Sequence, residues 1–257
     1  MAKPLDLAGA RILVTNDDGI HAPGIKVLER IAKSLSKDVW VVAPESEQSA
    51  TSHSLTLRRP LRVQRLGPRR FSVDGTPTDC VLLAQKKVVP GIDLVLSGIN
   101  HGGNLGEDVT YSGTVAAAME AAVLGLPAIA FSQVRRSQET ISWTTAERFA
   151  PRVIERLATF AWSRDLLVNV NFPAVPPEAV EGIRVCRQGR RQAGIELVEG
   201  ADPKGRPYLW IGDFTHDRPV ARDTDLAAVE EGAIAVTPLH LDLTHRRSFK
   251  SLTEAFA

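Results

Sequence analysis

The sequence predicts an α/β protein: a Rossmann-like, mostly parallel three-layer sandwich with a C-terminal β-rich extension. Short apolar runs alternate with amphipathic helical patterns through the first two thirds of the chain, which is typical of βαβ units. Beyond residue 180 the pattern changes to short strands separated by turns rich in Gly and Asp. We therefore predict an α/β core over residues 1–180. Over 181–257 we predict a β-hairpin arm and a terminal helix that serve in oligomerisation.

The composition narrows the class of protein. The chain has 257 residues, of which 44% are hydrophobic and 24% charged, as in ordinary globular proteins. Its formal net charge of +1 gives no reason to expect nucleic acid or an anionic membrane as a partner. Cys80 and Cys186 stand apart in apolar sequence, which is typical of buried thiols in a reduced compartment. With no signal-peptide pattern and no apolar run of about 18 residues, we expect a cytoplasmic protein that does not span a membrane.

Two adjacent carboxylates follow the first predicted strand. The run Arg11–Thr15 is apolar and short, as in a buried parallel strand, and Asp17 and Asp18 come directly after it. In open α/β sheets, ligands bind in the crevice beyond the carboxyl ends of the strands. Because neighbouring carboxylates repel each other, the pair calls for a compensating cation. This stretch alone leaves a second interpretation open, in which one of the two caps the following helix.

The next elements complete a βαβ unit. Helical spacing from Ile25 to Leu35 leads to a second apolar strand, Val39–Ala43, and then to the polar loop Glu45–Ser54. This loop, which contains Ser49, reaches the same edge of the sheet as the first strand end. Its hydroxyls suit an anion or a hard metal, or the loop is simply a solvated turn. The GxGxxG and Walker patterns do not occur at the first turn, which disfavours a dinucleotide or P-loop site.

The middle of the chain predicts an antiparallel excursion and a further strand. Alternating stretches lie at Leu55–Val63 and Phe71–Val73, followed by a helix with Thr78 as its N-cap. The strand Ile92–Ser97 then leads into a glycine-rich loop that carries Asn100. An amide oxygen at a strand end is an acceptable ligand for a hard metal, although Asn100 also suits a turn position with positive φ.

A helix with clear start and stop signals comes next. It is rich in alanine, runs over Val115–Leu124 and is followed by Gly125. A helix N-terminus offers unpaired N–H groups that can bind phosphate. The candidates for holding phosphate are therefore Ser112, Gly113 and Thr114 in this turn, together with Asn104 in the preceding glycine-rich loop.

The remaining pattern is a strand, a helix, a strand and the C-terminal extension. The spacing of Thr144 and Glu147 predicts a capping box, with Pro151 kinking the following helix or marking its true start. In the extension we expect a hairpin tip at Asp202–Pro207 and a terminal helix over Ser248–Phe256. The other predicted elements are strands at Ala128–Ser132, Leu166–Phe172, Ile183–Arg187, Gly194–Val198, Tyr208–Ile211 and Ala233–Thr237, and a short helix at Asp225–Glu231.

The separate signals converge on one edge of the predicted sheet. The candidate ligands there all offer oxygen: Asp17, Asp18, Ser49 and Asn100. Such a set suits Mg²⁺, Mn²⁺ or Ca²⁺ better than Zn²⁺, for which Cys and His are expected. A hard divalent cation beside a phosphate-binding helix N-terminus predicts phosphoryl transfer or hydrolysis.

These residues also resemble the motifs of a known family, the SurE family of survival-protein 5′-nucleotidases. The resemblance is carried by blocks that keep their order along the chain: Ile12–Ile20, Val42–Pro44, Ser49–Thr51, His53–Ser54, Gly75–Pro77, Asp79–Cys80, Ser97–Asn100, Tyr111–Thr114 and Thr237–Leu239. It implies a cytoplasmic metal-dependent phosphomonoesterase acting on nucleoside 5′-monophosphates, and on the 3′ forms too. It further implies that Asp17, Asp18, Ser49 and Asn100 hold the metal. Dimers or tetramers that form through the C-terminal part are also implied, whereas residues 45–48 and 190–225 depart most from the family pattern.

The mechanism expected from this resemblance uses one divalent cation per subunit, Mg²⁺ or Mn²⁺, to activate a water molecule. Asp17 or Asp18 positions that water or moves its proton, while Asn104 and the turn Ser112–Thr114 hold phosphate oxygens. Two other readings use the same cleft. One is a phosphatase that forms an aspartyl phosphate on Asp17, and the other is a nucleotide sensor without catalysis.

Overall fold

The computed structural model describes residues 4–135, 141–191, 195–214 and 220–257, and within them the chain forms eleven strands and six α-helices. The strands are β1 (Arg11–Thr15), β2 (Asp38–Pro44), β3 (Val63–Gly67), β4 (Arg70–Val73), β5 (Leu94–His101), β6 (Ala128–Gln133), β7 (Leu166–Phe172), β8 (Ile183–Val185), β9 (Ile195–Ala201), β10 (Pro207–Phe214) and β11 (Ile234–His240). The helices are α1 (Pro23–Leu35), α2 (Pro77–Leu83), α3 (Gly113–Val123), α4 (Thr144–Ala158), α5 (Asp225–Glu230) and α6 (Arg246–Ala255).

Nine strands form one mixed sheet, in the order β3-β4-β2-β1-β5-β6-β7-β11-β8. The six from β4 to β7 are parallel, whereas β3 and β11 run antiparallel to β4 and β7 at either side. Parallel strands need crossover connections, and α1 to α4 supply four of them. The predicted, mostly parallel α/β fold is therefore confirmed.

Helices cover both faces of the sheet and make the sandwich three-layered. Ile12 and Val14 of β1 pack on one face with buried residues of α1 and α4. Leu13, between them, points to the opposite face and packs with buried residues of α2 and α3. Because successive strand side chains alternate between faces, a short apolar run such as β1 can anchor two helix layers at once.

Strand β11 places the C-terminal part of the chain in the main sheet. It pairs antiparallel with β7 and parallel with β8, so β8 and β11 extend the same sheet. Strands β9 and β10 instead form a separate antiparallel hairpin, with a turn at the predicted tip Asp202–Pro207. The division at residue 180 stays a prediction. Among the residues described, no helix is long and apolar enough to cross a membrane.

The antiparallel excursion begins later than predicted. The ladder between β3 and β4 starts at Val63, and residues 55–62 are not a strand. The reason is that the Thr56 N–H donates to the side chain of Asp79 at 3.0 Å, and not to a neighbouring strand. A side chain that is distant in sequence thus competes with the expected ladder.

Two predicted helix caps are wrong. The N-cap of α2 is Thr76, whose hydroxyl accepts from the Asp79 N–H at 3.1 Å in a capping box. This shift follows from Pro77, which fits the first helical position for two reasons. Its fixed φ is already helical, and the N–H that proline lacks would have no partner within the helix there. Helix α4 begins after Trp143 without a side-chain cap, because Glu147 pairs with Arg30 of α1. Pro151 lies inside α4, and the helix continues through it to Ala158.

Candidate active site

The carboxyl ends of β1 and β5 and the loop after β2 open into one cleft of about 540 Å³. Its wall contains all four residues predicted as metal ligands: Asp17, Asp18, Ser49 and Asn100. They come from three separate segments of the chain that the parallel strand order brings to one edge. This is the crevice in which open α/β sheets bind ligands. The structure thus places the four side chains together, while their role as ligands stays a prediction.

Asp17 is the more deeply buried of the two carboxylates, with 5% of its surface exposed. Its Oδ1 accepts a short hydrogen bond from the hydroxyl of Thr114, which is fully buried in α3. Burial raises the pKa of Asp17 to about 6. The hydrogen bond from Thr114 opposes this rise, and the nearby charge of Asp18 adds to it. The carboxylate is therefore oriented by α3, and no cationic side chain in the described part of the chain forms an ion pair with it.

Asp18 is the more accessible carboxylate of the pair. Its Oδ2 accepts from the His101 N–H at 3.3 Å, which links the ends of β1 and β5. Burial also raises the pKa of Asp18, the His101 N–H opposes the shift and Glu47 adds to it. The raised pKa values mean that burial and mutual repulsion disfavour the charged forms of both carboxyl groups. A bound cation would offset this cost.

The Ser49 loop is shaped by its contact with the end of β1. The Gln48 N–H donates to the Asp17 carbonyl at 2.8 Å, which brings Ser49 to the cleft. Ala50 and Ser52 then adopt positive φ angles of 56° and 54°, which are uncommon for residues other than glycine. Such conformations persist where surrounding contacts hold them, and they cluster at functional sites.

Side chains from α2 and α3 hold the rest of this loop. His53 lies 3.0 Å from the buried carboxylate of Glu120, measured from Nε2 to Oε2. The Thr56 hydroxyl donates to Asp79 at 2.6 Å, and the Thr76 hydroxyl donates to the backbone of Ser54 at 2.8 Å. The loop that carries Ser49 is therefore fixed at both ends.

The oxygen atoms of Ser49 and Asn100 are suited to a cation. The Ser49 hydroxyl donates to Glu47 at 2.7 Å, and a donating hydroxyl still offers its lone pairs. The Asn100 amide nitrogen donates to the Gly102 carbonyl at 2.9 Å, so the amide oxygen is the atom that suits a metal. Within the described ranges no group of three or more His, Cys, Asp and Glu side chains is arranged to hold a metal. The candidate set avoids this requirement, because serine and asparagine supply two of its four oxygens.

The predicted phosphate-binding residues lie in different environments. Asn104 and Ser112 line the cleft, and the Ser112 hydroxyl caps α3 by accepting from the Val115 N–H at 3.1 Å. Gly113 packs against Asp17, because a Cβ there would lie 2.7 Å from the Asp17 Cβ. The Thr114 hydroxyl is directed to Asp17. The turn therefore supports the carboxylate as well as the cleft.

Asn104 is held by a network of buried amides. Its backbone N–H donates to Asn171 Oδ1 and its side-chain nitrogen donates to Ser132, both at 2.8 Å. The side-chain nitrogens of Asn169 and Asn171 donate in turn to the Asn104 carbonyl, at 2.8 and 3.1 Å. These four hydrogen bonds tie the loop that carries Asn104 to β6 and β7.

Sequence reasoning missed several residues that line the cleft. Glu47 and Asp108 add carboxylates, and Arg135 and Arg191 add guanidinium groups. Arg191 belongs to the basic run at 187–191, a signal that could have been noticed but not placed. With four carboxylates and two arginines, the described lining residues are net acidic, and a divalent cation would neutralise them.

Lysine does not occur among the described residues that line the cleft. Phosphatases that form an aspartyl phosphate use a lysine near the nucleophile, so this lining disfavours that alternative. Asp17 is, moreover, held between Thr114 and Gly113, with its carboxylate buried. The geometry favours a ligand at this position over a nucleophile.

Comparison with known proteins identifies the family of this chain. A family model described as survival protein SurE matches residues 12–194. The 5′-nucleotidase SurE of Paramagnetospirillum magneticum is 59% identical over 253 residues, which cover 98% of this chain and 97% of the relative. The 5′-nucleotidase SurE of Parvibaculum lavamentivorans is 51% identical over 250 residues, covering 95% and 90%. The crystal structure of the SurE protein from Aquifex aeolicus has a TM-score of 0.84 at 40% identity, covering 96% of this chain and 99% of that one. The predicted resemblance is confirmed, and the chain belongs to the SurE family.

Proposed function

We propose that this protein is a metal-dependent phosphomonoesterase that hydrolyses nucleoside 5′-monophosphates, and the 3′ forms as well, to nucleoside and phosphate. The observation that carries the proposal is the meeting of four oxygen donors beside the N-terminus of α3 in one cleft. Both relatives are named 5′-nucleotidases, which agrees with this activity.

Asp17, Asp18, Ser49 and Asn100 would hold one divalent cation per subunit, Mg²⁺ or Mn²⁺, since hard cations prefer oxygen ligands. When bound, the cation supplies positive charge to the phosphate oxygens and lowers the pKa of a coordinated water. Thr114 fixes the orientation of the Asp17 carboxylate through its hydroxyl. A rigid ligand of this kind reduces the reorganisation needed when charge develops on the phosphate.

The more accessible carboxylate, Asp18, is the better candidate for handling the proton. In the hydrolysis a water oxygen bonds to phosphorus, the bond from phosphorus to the ribose oxygen breaks, and one proton moves from the water to the leaving oxygen. Asp18 is linked to solvent through the cleft, whereas Asp17 is enclosed by α3. We therefore assign the proton to Asp18 and a fixed ligand role to Asp17.

Ser112 and Asn104 are the residues that we assign to the phosphate oxygens. Both line the cleft, and the Ser112 hydroxyl retains its hydrogen because it accepts the bond from Val115. The N–H groups at the start of α3, including that of Gly113, favour negative charge at the same place. We assign Thr114 to Asp17 and not to the substrate.

Assembly and location complete the proposal. The β9–β10 hairpin exposes apolar side chains, including Trp210 and Ile211. Patches of this kind are typical of subunit contacts, so we propose a homodimer or homotetramer. Cys80 and Cys186 are free thiols, as is typical of the reduced cytoplasm, where we place the protein.

The first test measures phosphate release from a panel of 5′- and 3′-nucleoside monophosphates in Mg²⁺ or Mn²⁺. We expect release that EDTA abolishes and added metal restores. We also expect Asp17→Asn to lower kcat/KM by about 100-fold or more, because it removes a charged ligand. Asp165→Asn is the matched control, since this exposed carboxylate lies before β7 and far from the strand ends that form the cleft.

Four outcomes would contradict parts of the proposal. Hydrolysis that is insensitive to EDTA would remove the metal mechanism, and near-normal activity of Asp17→Asn at saturating metal would remove Asp17 as an essential ligand. Retention of configuration at a chiral phosphorus, which two successive displacements give and a single displacement does not, would favour an aspartyl phosphate. Nucleotide binding without phosphate release in either metal would favour a sensor.

A further inference from the structure

A fully buried carboxylate outside the candidate metal site joins two loops at the cleft. Asp225 lies at the start of α5, and one of its oxygens accepts from the Gly106 N–H at 2.9 Å. The other oxygen accepts from the N–H groups of Gly189 and Leu226, at 2.7 and 2.8 Å. Gly106 ends the glycine-rich loop that follows β5, and Gly189 belongs to the segment 187–191. One side chain thus connects segments that are far apart in the sequence.

The two glycines allow this close approach. A Cβ at residue 189 would lie 2.7 Å from Asp225 Oδ1, which leaves no room for a side chain. Gly106 has a φ of +56°, and a Cβ there would lie 3.4 Å from the Gly189 carbonyl oxygen. The carboxylate therefore has room beside segment 187–191 because residue 189 has no side chain, and glycine at 106 permits the positive φ of the facing loop.

Arg191 is fixed where segment 187–191 meets the loop that follows β5. Its backbone N–H donates to Glu107 at 2.9 Å, and its guanidinium group donates to the Leu105 carbonyl at 3.0 Å. The two terminal nitrogens of the guanidinium group also donate to the carboxylate of Asp108, Nη2 at 2.8 Å. Arg191 lines the cleft that contains Asp17. The segment 187–191 thereby carries a rigid guanidinium group into the wall of the site.

Burying the charge of Asp225 has an energetic cost that three backbone N–H groups reduce. Burial raises the pKa of Asp225, while the N–H groups of Gly106, Gly189 and Leu226 lower it. A polar bridge with this geometry specifies how the two loops meet, which an apolar contact would not. A planar guanidinium held in one orientation is also the side chain best suited to phosphate oxygens.

We propose that Asp225 is a positioning residue for the hydrolysis: it holds segment 187–191 against the loop at 104–110 and so places Arg191 beside the phosphate. The inference rests on the proposed function, because it concerns the same cleft. It also assigns to the C-terminal part of the chain a role in substrate binding that is separate from assembly.

The test compares Asp225→Asn with the wild-type full chain. Asparagine keeps the shape of the side chain, but its NH₂ group is a donor. It would face a backbone N–H that now donates to the carboxylate, so that hydrogen bond is lost. We expect the KM for a nucleoside 5′-monophosphate to rise about tenfold, with kcat reduced less than about threefold, because substrate binding and not the metal is affected. Affinity for Mn²⁺ should stay unchanged. Amide hydrogen exchange should become faster at 104–110 and stay unchanged in β1.

Asp223→Asn is the matched control. This carboxylate lies two residues earlier, is exposed and pairs with Arg187 at the surface. The control variant should keep the wild-type KM and exchange rates. An equal rise of KM in both variants would overturn the proposal, because the effect would then follow from charge alone.

Arg191→Lys tests the second half of the inference and keeps it falsifiable if Asp225→Asn does not fold. Lysine preserves the charge but loses the fork that binds Asp108, so the KM should again rise about tenfold. If Asp225 acts through Arg191, the double variant has a KM no higher than that of the worse single variant.

The outcomes separate this inference from the proposed function. A wild-type protein that releases no phosphate from any nucleoside monophosphate overturns the proposed function, and this inference with it. An active wild type with an unchanged KM in Asp225→Asn or in Arg191→Lys overturns this inference alone. So does a double variant whose effects add.

Discussion

At the scale of single residues, the cleft is organised around the orientation of Asp17. The fully buried hydroxyl of Thr114 donates to one carboxylate oxygen, and the backbone carbonyl of Asp17 accepts from Gln48. Side chain and backbone of the same residue thus connect β1 to α3 and to the Ser49 loop. If Asp17 is a metal ligand, as we propose, loss of a group that orients it should lower the metal affinity by about 10- to 100-fold.

The variant Thr114→Val tests this role. Valine has nearly the shape of threonine but removes the donor, so Asp17 keeps its charge and loses its orientation. We expect the affinity for Mn²⁺, measured by calorimetry, to fall about tenfold or more. The free energy of unfolding should fall by about 1–3 kcal/mol, because a buried acceptor loses its partner. Thr110→Val, which removes an exposed hydroxyl bonded to Glu107, is the control and should match wild type. Unchanged metal affinity in Thr114→Val would contradict the assignment.

At the scale of elements, helix α3 touches Asp17 directly with its first residue. Glycine at 113 permits this contact, since a Cβ there would lie 2.7 Å from the Asp17 Cβ and 3.2 Å from the Pro77 ring. The N-terminus of α3, with Ser112 as its cap, can therefore reach the cleft. The same small-residue surface continues along α3, whose buried alanines pack on the sheet.

The substitution Gly113→Ala measures how closely the two elements fit. Alanine normally stabilises a helix by about 1 kcal/mol relative to glycine. Here we expect the free energy of unfolding to fall by about 1–3 kcal/mol, because the added methyl group overlaps Asp17 and Pro77. The kcat/KM for a nucleoside monophosphate should fall about tenfold or more, as a displaced Asp17 misplaces the reacting groups. Urea unfolding and phosphate release are the measurements.

Gly67→Ala is the control for this substitution. It lies at the end of β3, and the nearest atom to an added Cβ would be Arg70 Cβ at 3.7 Å, an ordinary contact. Stability should change by about 0.5 kcal/mol or less, with normal activity. A stabilised and fully active Gly113→Ala protein would show that α3 has room to move.

At the scale of the whole molecule, the β9–β10 hairpin lies outside the main sheet and forms a separate two-stranded sheet. Its strand β10 exposes Leu209, Trp210 and Ile211 by 62%, 66% and 74%, so both faces are apolar and exposed. A two-stranded hairpin is marginally stable by itself in water. Exposed apolar surface on both faces therefore favours contact with another subunit.

Trp210→Ser is predicted to weaken the homo-oligomer that we propose. Removing the aromatic side chain takes away a contact of the type that dominates binding at interfaces. We expect analytical ultracentrifugation to show a lower average mass at micromolar concentration, with the fold retained by circular dichroism. Phe160→Ser, at the end of α4 and also exposed, is the matched control. An unchanged mass for Trp210→Ser would place the subunit contact elsewhere.

The strands and the candidate ligands show best how much of the structure could be predicted from the sequence. The hydrophobic runs at β1, β2, β5 and β7 are local properties of the chain, and the rule that parallel strands end at one edge needs no coordinates. These two facts suffice to bring Asp17, Asp18, Ser49 and Asn100 to one cleft. The cap of α2 could also have been placed by noting Pro77, which marks the first helical position.

What the sequence by itself determined is therefore the α/β architecture, the edge that carries the cleft and the set of oxygen donors there. Tertiary structure decided the rest: Thr114 supports Asp17, Asp79 draws Thr56 away from a strand, and Asp225 fixes Arg191 in the cleft wall. Each of these contacts joins segments more than 20 residues apart. Their formation depends on the distances between packed elements, whereas periodicity and spacing report only on neighbours along the chain.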